Sequence, residues 1–224
     1  MYDAWGEGIG IYATDGAAVY GNTIHDCFGI NIYLSQARNV VVDRNYLYSL
    51  NDAHNKSGWR ATGITMATEP APSGLPNPTV MLQHITLTNN VMVGTGFGIL
   101  YFYAAFNIVP ENTYQDLRIS YNTIRAPQTT AILFQAVKNN SLLPSGVVVS
   151  DNIIETGGTG PAVLLGSPSA WSFVNNDWPG GVPTGAVEPG SFAADPRFVS
   201  PVLGGPVDGF RLEADRRRLV GRRR

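Results

Sequence analysis

Gly29-Ile-Asn-Ile-Tyr-Leu34, Asn39-Val-Val-Val-Asp-Arg-Asn45 and Tyr46-Leu-Tyr48 follow one another within a single stretch of chain. The first run opens on a small residue and then alternates apolar and other side chains. That is the period of a strand with one face buried. The second is rich in β-branched residues and ends at asparagine, and the third is short and apolar.

The same triplet recurs on both sides. First-strand counterparts are Gly8-Ile-Gly-Ile-Tyr12, Gly63-Ile-Thr-Met66, Gly98-Ile-Leu-Tyr-Phe102, Ala131-Ile-Leu-Phe134 and Ala162-Val-Leu-Leu165. Second runs close at Asn22, Asn90, Asn122, Asn152 and Asn176, and most are followed by a short third run such as Val91-Met-Val93. Successive closing asparagines lie 23, 45, 32, 30 and 24 residues apart, so a fixed coil near the smallest spacing carries insertions. Asparagine tolerates the left-handed backbone of a tight corner, and stacked asparagines bond to one another, which assigns both roles to these residues.

The pattern predicts an all-β chain, a right-handed parallel β-helix of about six coils with three strands per coil. A leucine-rich repeat requires Leu-x-x-Leu-x-Leu, and a propeller blade is longer and antiparallel. Residues 1–182 read as the solenoid. Residues 183–224 read as an irregular segment packing on the last coil, with an Arg-rich tail.

Composition agrees. Hydrophobic residues at 44% supply a core, and charged residues at 14% are too few for a disordered chain. Cys27 is the one cysteine, which excludes an internal disulfide and favours a small buried hydrophobe over a catalytic thiol. Residues 1–210 carry eight Lys/Arg against fifteen Asp/Glu, while residues 211–224 carry seven Arg against two acids. The acidic body argues against nucleic acid as partner, and no apolar run is long enough for a membrane span. The first residues do not read as a signal peptide.

The segments Trp5-Gly-Glu-Gly-Ile9, Asn31-Ile-Tyr-Leu34 and Asn39-Val-Val-Val-Asp-Arg-Asn45 resemble the pectin-lyase-like superfamily of right-handed parallel β-helix proteins, among its uncharacterised bacterial members. The resemblance covers residues 1–176, and residues 195–212 resemble the closing segment of such proteins. It implies a substrate groove on the first-strand face and, for the natural full-length protein, an extracellular or cell-surface location. Family members generally carry an N-terminal cap, whereas this chain starts partway round a coil. It therefore reads as N-terminally truncated, with an open end for end-to-end self-association.

Long insertions flank the first-strand face, at 50–62, 69–83, 104–115 and 137–145. Alternation turns Gly10, Tyr12, Asn31, Tyr33, Thr65, Leu100, Phe102, Leu133 and Gln135 outward. Tyr12, Tyr33 and Phe102, joined by Trp5 and Trp59, offer flat faces for sugar rings, with His25 and Asn31 as polar partners.

Carboxylates gather at the first coils. Asp3 and Asp26 occupy equivalent positions, with Glu7 beside them and Asp52 one coil further on. A pair drawn from these suits glycoside hydrolysis, and the same oxygens suit a Ca²⁺ ion. His54, Lys56 and Arg60 suit the rival chemistry, β-elimination from a uronic acid polymer, which needs a base and a positive charge. The polygalacturonase-type Asn-Thr-Asp, Asp-Asp and Arg-Ile-Lys motifs and the Asp-Pro-His-Asp motif of alginate epimerases are absent. The expected partner is a polysaccharide, cleaved by hydrolysis or elimination, or bound without cleavage by a structural solenoid.

Overall fold

Each coil is built the same way, with Gly8, Gly63 and Gly98 standing where a Cβ would collide with the next coil's backbone. The computed structural model describes residues 1–50, 58–69, 82–103, 113–137, 142–155, 158–183 and 190–213. Coil one contains β1 (Glu7–Tyr12), β2 (Asp15–Tyr20) and β3 (Thr23–His25); coil two β4 (Ile30–Ser35), β5 (Arg38–Asp43) and β6 (Tyr46–Tyr48). Coil three contains β7 (Thr62–Thr68), β8 (Leu82–Thr88) and β9 (Val91–Val93); coil four β10 (Ile99–Tyr103), β11 (Tyr114–Ser120) and β12 (Thr123–Arg125). Coil five contains β13 (Ile132–Phe134), β14 (Ser145–Ser150) and β15 (Ile153–Ile154), and coil six β16 (Val163–Leu165) and β17 (Trp171–Val174).

Sheet one runs β1-β4-β7-β10-β13-β16, sheet two β2-β5-β8-β11-β14-β17, and sheet three β3-β6-β9-β12-β15. Every pairing is parallel and joins equivalent strands of successive coils. The chain is a parallel β-helix of six coils.

Identical register stacks like on like. Ile32, Ile64, Ile99 and Ile132 form one inward column of sheet one, all buried. Val42, Leu87, Ile119 and Val149 do the same in sheet two, and Ile24, Leu47, Met92, Ile124 and Ile154 in sheet three. Cys27 is buried in this core. Burying one such aliphatic side chain is worth about 1.5–3 kcal/mol, so the columns carry the solenoid's stability.

The asparagines form a continuous ladder. Each Nδ2 donates to the next asparagine's Oδ1: Asn22 to Asn45 at 2.9 Å, Asn45 to Asn90 at 2.9 Å, Asn90 to Asn122 at 3.0 Å, Asn122 to Asn152 at 3.0 Å and Asn152 to Asn176 at 2.9 Å. The left-handed residue of the corner, however, is the one before each asparagine: Gly21, Arg44, Asn89, Tyr121, Asp151 and Asn175. The expectation that the closing asparagine turns the corner is corrected. It faces inward, where its amide satisfies backbone groups that the corner leaves unpaired, such as Val42 O, which accepts from Asn90 Nδ2 at 2.9 Å.

Sheet two carries a second left-handed column, Gly16, Asn39, His84, Asp116 and Gly146. Its side chains tie coils together outside, with Asn39 Nδ2 donating to Asp15 at 2.6 Å and His84 Nδ1 lying 2.6 Å from Asp116.

Residues after β17 return along the solenoid. Trp178, fully buried, donates its Nε1 to Ser191 Oγ at 3.1 Å. Further on, Phe210 packs against Tyr46, Gly204 N donates to Tyr46 Oη at 3.1 Å, and the Arg125 guanidinium lies 5.6 Å above the Phe198 ring. This segment therefore covers the outer face of sheet three.

Candidate functional site

The outer face of sheet one gathers a cluster of rings at the first four coils, with Glu69 bonded into it and Glu7 at the start of β1. In coil one, Gly10 leaves room for the Tyr12 ring to fold back over it; a Cβ there would sit 2.5 Å from Tyr12 Cε2. Tyr12 meets Tyr33 of coil two edge-on at 5.3 Å, and Tyr33 stacks on Phe102 at 6.2 Å. Tyr12 is 45% exposed and Tyr33 only 3%.

The Tyr33 hydroxyl donates to Glu69 Oε2. Burial, then the bond to Glu69 and its negative charge, push the Tyr33 hydroxyl far above the ordinary tyrosine range. Burial raises Tyr12 as well, and the charges of Glu7 and Glu69 raise it further. Both carboxylates thus lie within electrostatic reach of one phenol. Glu7 is exposed and Glu69 half-buried, and neither has a cationic partner among the described residues. Thr65, in register with Tyr33 and Leu100, is wholly buried, and its Oγ1 has no hydrogen-bond partner.

Beside this face Trp5, 87% exposed, stacks on Phe28 with ring centroids 4.3 Å apart. Toward the other end of the sheet the outward column becomes aliphatic. A cavity of about 510 Å³ opens there, lined by Leu133, Gln135, Ala136, Leu164 and Gly166. A second cavity, of about 180 Å³, lies on the asparagine side beneath Phe192 and Leu212, remote from these carboxylates.

Tyr12, Tyr33 and Phe102 are therefore gathered, with Glu7 within electrostatic reach of Tyr12 and Trp5 at the margin. Other sequence-expected residues go elsewhere. Asn31 does not face outward. Cβ atoms built on its neighbours in register, Gly8 and Gly63, would meet Ile24, Cys27 and Met92, so this position turns inward as the chain rounds the corner. Asn31 is 0% exposed, and neither amide atom has a partner. His25 belongs to sheet three, its ring stacked between Tyr2 at 5.4 Å and Tyr48 at 4.5 Å.

Asp3 and Asp26 are equivalent, each left-handed with φ of 52° at the corner before a first strand. Asp26 is 6% exposed, accepts from Leu50 N at 2.7 Å and lies 2.8 Å from His25 Nδ1. Its carboxylate ties two coils together rather than facing a groove. Trp59 stacks on Phe97 at 6.5 Å, and Arg60 Nη1 donates to Gly94 O at 3.3 Å, in the approach to sheet one rather than on it. Asp52, His54 and Lys56 lie outside the described residues. Among the described residues, no group of three or more His, Cys, Asp or Glu is placed to hold a metal ion, Asp3, Glu7 and Asp26 included.

Glu69 is the residue the sequence reading placed only in a wall. Its signal was parity: continuing the outward series Thr65, Ala67 along β7 lands on it. No family model, curated protein or solved structure matches the chain.

Proposed function

We propose that the outer face of sheet one binds a polysaccharide and hydrolyses a glycosidic bond at Glu69, on a solenoid of the pectin-lyase-like kind. The reading rests on one observation: a carboxylate, Glu69, accepts from the Tyr33 hydroxyl on a face lined by aromatic rings. A carboxylate is the usual nucleophile or base of this reaction.

Glu69, accepting from the Tyr33 hydroxyl, is placed to act at the anomeric carbon directly or through a water. Glu7, aligned by register with Thr62 at the other end of the strands, is placed to bind a sugar hydroxyl further along the glycan. Trp5 and Tyr12, both exposed, supply stacking surfaces for sugar rings.

Incubation with neutral and uronate polysaccharides, with and without Ca²⁺, tests this. New reducing ends without unsaturated product, lost in Glu69→Gln, is the expected result. Unsaturated product would mean elimination, and turnover unchanged in Glu69→Gln would remove the assignment. Binding without cleavage is the second reading, favoured by the tight seat of Tyr33 on Glu69, which occupies one carboxylate.

A further inference from the structure

We propose that this same face selects a glycan carrying free ammonium groups, a hexosamine polymer, over neutral or uronate polymers. The inference rests on the proposed carbohydrate-binding role of the sheet-one face and adds the charge of its ligand.

The first ground is uncompensated negative charge. Described arginines neutralise acids elsewhere: Arg38 with Asp15, Arg44 with Asp43, Arg125 with Glu155 and Arg197 with Glu213. Glu7 and Glu69 have no such partner among the described residues.

The second ground is the set of groups around those charges. An ammonium donates three hydrogen bonds and accepts none, and it is drawn to aromatic faces. Glu7 and Glu69 supply anionic acceptors, and Tyr12 supplies an open ring, with Tyr33 packed against it and Phe102 beyond. The buried, unpartnered Thr65 hydroxyl on the same face is a further acceptor. A polar atom buried without a partner is costly, and a ligand donor would satisfy it. A uronate would instead set like charge against Glu7 and Glu69.

Two polymers of one backbone and linkage isolate the charge: polyglucosamine and its fully N-acetylated form. Binding is measured by affinity electrophoresis of the whole chain at mildly acidic pH and low salt. Polyglucosamine should be retained at least tenfold more tightly, with the preference fading as salt is added. Glu69→Gln should remove most of that preference while keeping a partner for Tyr33, and circular dichroism confirms its fold. Asp151→Asn changes net charge equally, at a corner between sheets two and three, and should leave the preference intact.

Equal retention of the two polymers overturns the inference and leaves the carbohydrate reading standing. A preference that survives Glu69→Gln, or falls equally in Asp151→Asn, also overturns it, because the acidic body and not this face would then be the cause. Retention of neither polymer, nor of any neutral or uronate glycan, removes the inference and the proposed function together.

Discussion

Replacing Asn90 by alanine tests the central support of the solenoid, because the ladder makes its cost calculable. Asn90 Nδ2 donates to Asn122 Oδ1 at 3.0 Å and to Val42 O at 2.9 Å. Its Oδ1 accepts from Asn45 N at 3.0 Å and from Asn45 Nδ2 at 2.9 Å. All four bonds are buried. Alanine removes them and strands Asn45 N–H without its acceptor, where water cannot easily replace it. A net hydrogen bond is worth about 1 kcal/mol, and a buried polar group left unsatisfied costs about 1–3 kcal/mol. Allowing for partial relaxation, the loss is about 3–5 kcal/mol, roughly a 10 °C fall in Tm for a chain of this size.

Asn22→Ala is the internal control. Asn22 begins the ladder, so it donates to Asn45 and to Tyr20 O but accepts from no earlier asparagine among the described residues. Its loss should cost about 1 kcal/mol. Asn90→Asp separates the two directions of bonding. It keeps an acceptor and loses both Nδ2 donations, while placing a charge in a buried column, so it should be at least as damaging as alanine at neutral pH. Urea unfolding read by circular dichroism, with the denaturant slope checked for constancy because stacked repeats can lose cooperativity, supplies the numbers. Equal costs for Asn22→Ala and Asn90→Ala, or a cost below about 1 kcal/mol for Asn90→Ala, would refute the reasoning.

Two further outcomes are expected. Asn31→Ala should leave stability unchanged or raise it by up to about 2 kcal/mol, because both amide atoms are buried without partners; a fall in the urea midpoint would show that the amide is satisfied after all. Tyrosine ionisation sets the alkaline limit, with burial pushing Tyr114 up to about 12 and Tyr33 raised as well. A tyrosine held protonated by the fold contributes stability that is full below the unfolded value of about 10 and is lost as pH rises through the folded value. Stability should therefore fall above about pH 10, with ultraviolet titration showing tyrosines that ionise only on unfolding.

The legible parts of this chain are those where one chemical type recurs in one register. Ile32, Ile64, Ile99 and Ile132 announce an inward column, and the closing asparagines announce a ladder whose links the structure contains. The left-handed corner was not legible, because Gly21, Arg44, Asn89, Tyr121, Asp151 and Asn175 share no side-chain chemistry. What they share is the place before a ladder asparagine. Asn31 was misread because alternation was carried through a corner, where two successive side chains, Asn31 and Ile32, are both buried. The bond from Tyr33 to Glu69 joins residues on different coils, and a long insertion between them hides the stacking from any inspection of local spacing.

These contrasts follow from how a solenoid divides its labour. Inward positions and the ladder repeat because each coil must bury its neighbours' edges in the same way. Outward positions escape that demand, so a departure from repetition there needs a separate cause. On sheet one the outward column passes from Gly10 and Tyr33 through Thr65 to Leu100, Leu133 and the 51% exposed Leu164. In this column Tyr33 and Thr65 give way to leucine from coil four onward, beside the larger cavity. Sheet stacking requires none of this gradient, because the strands pair in one register throughout. If the proposed glycan lies along the coils, its polar unit meets Tyr33 and Glu69, and its apolar faces meet Leu133 and Leu164.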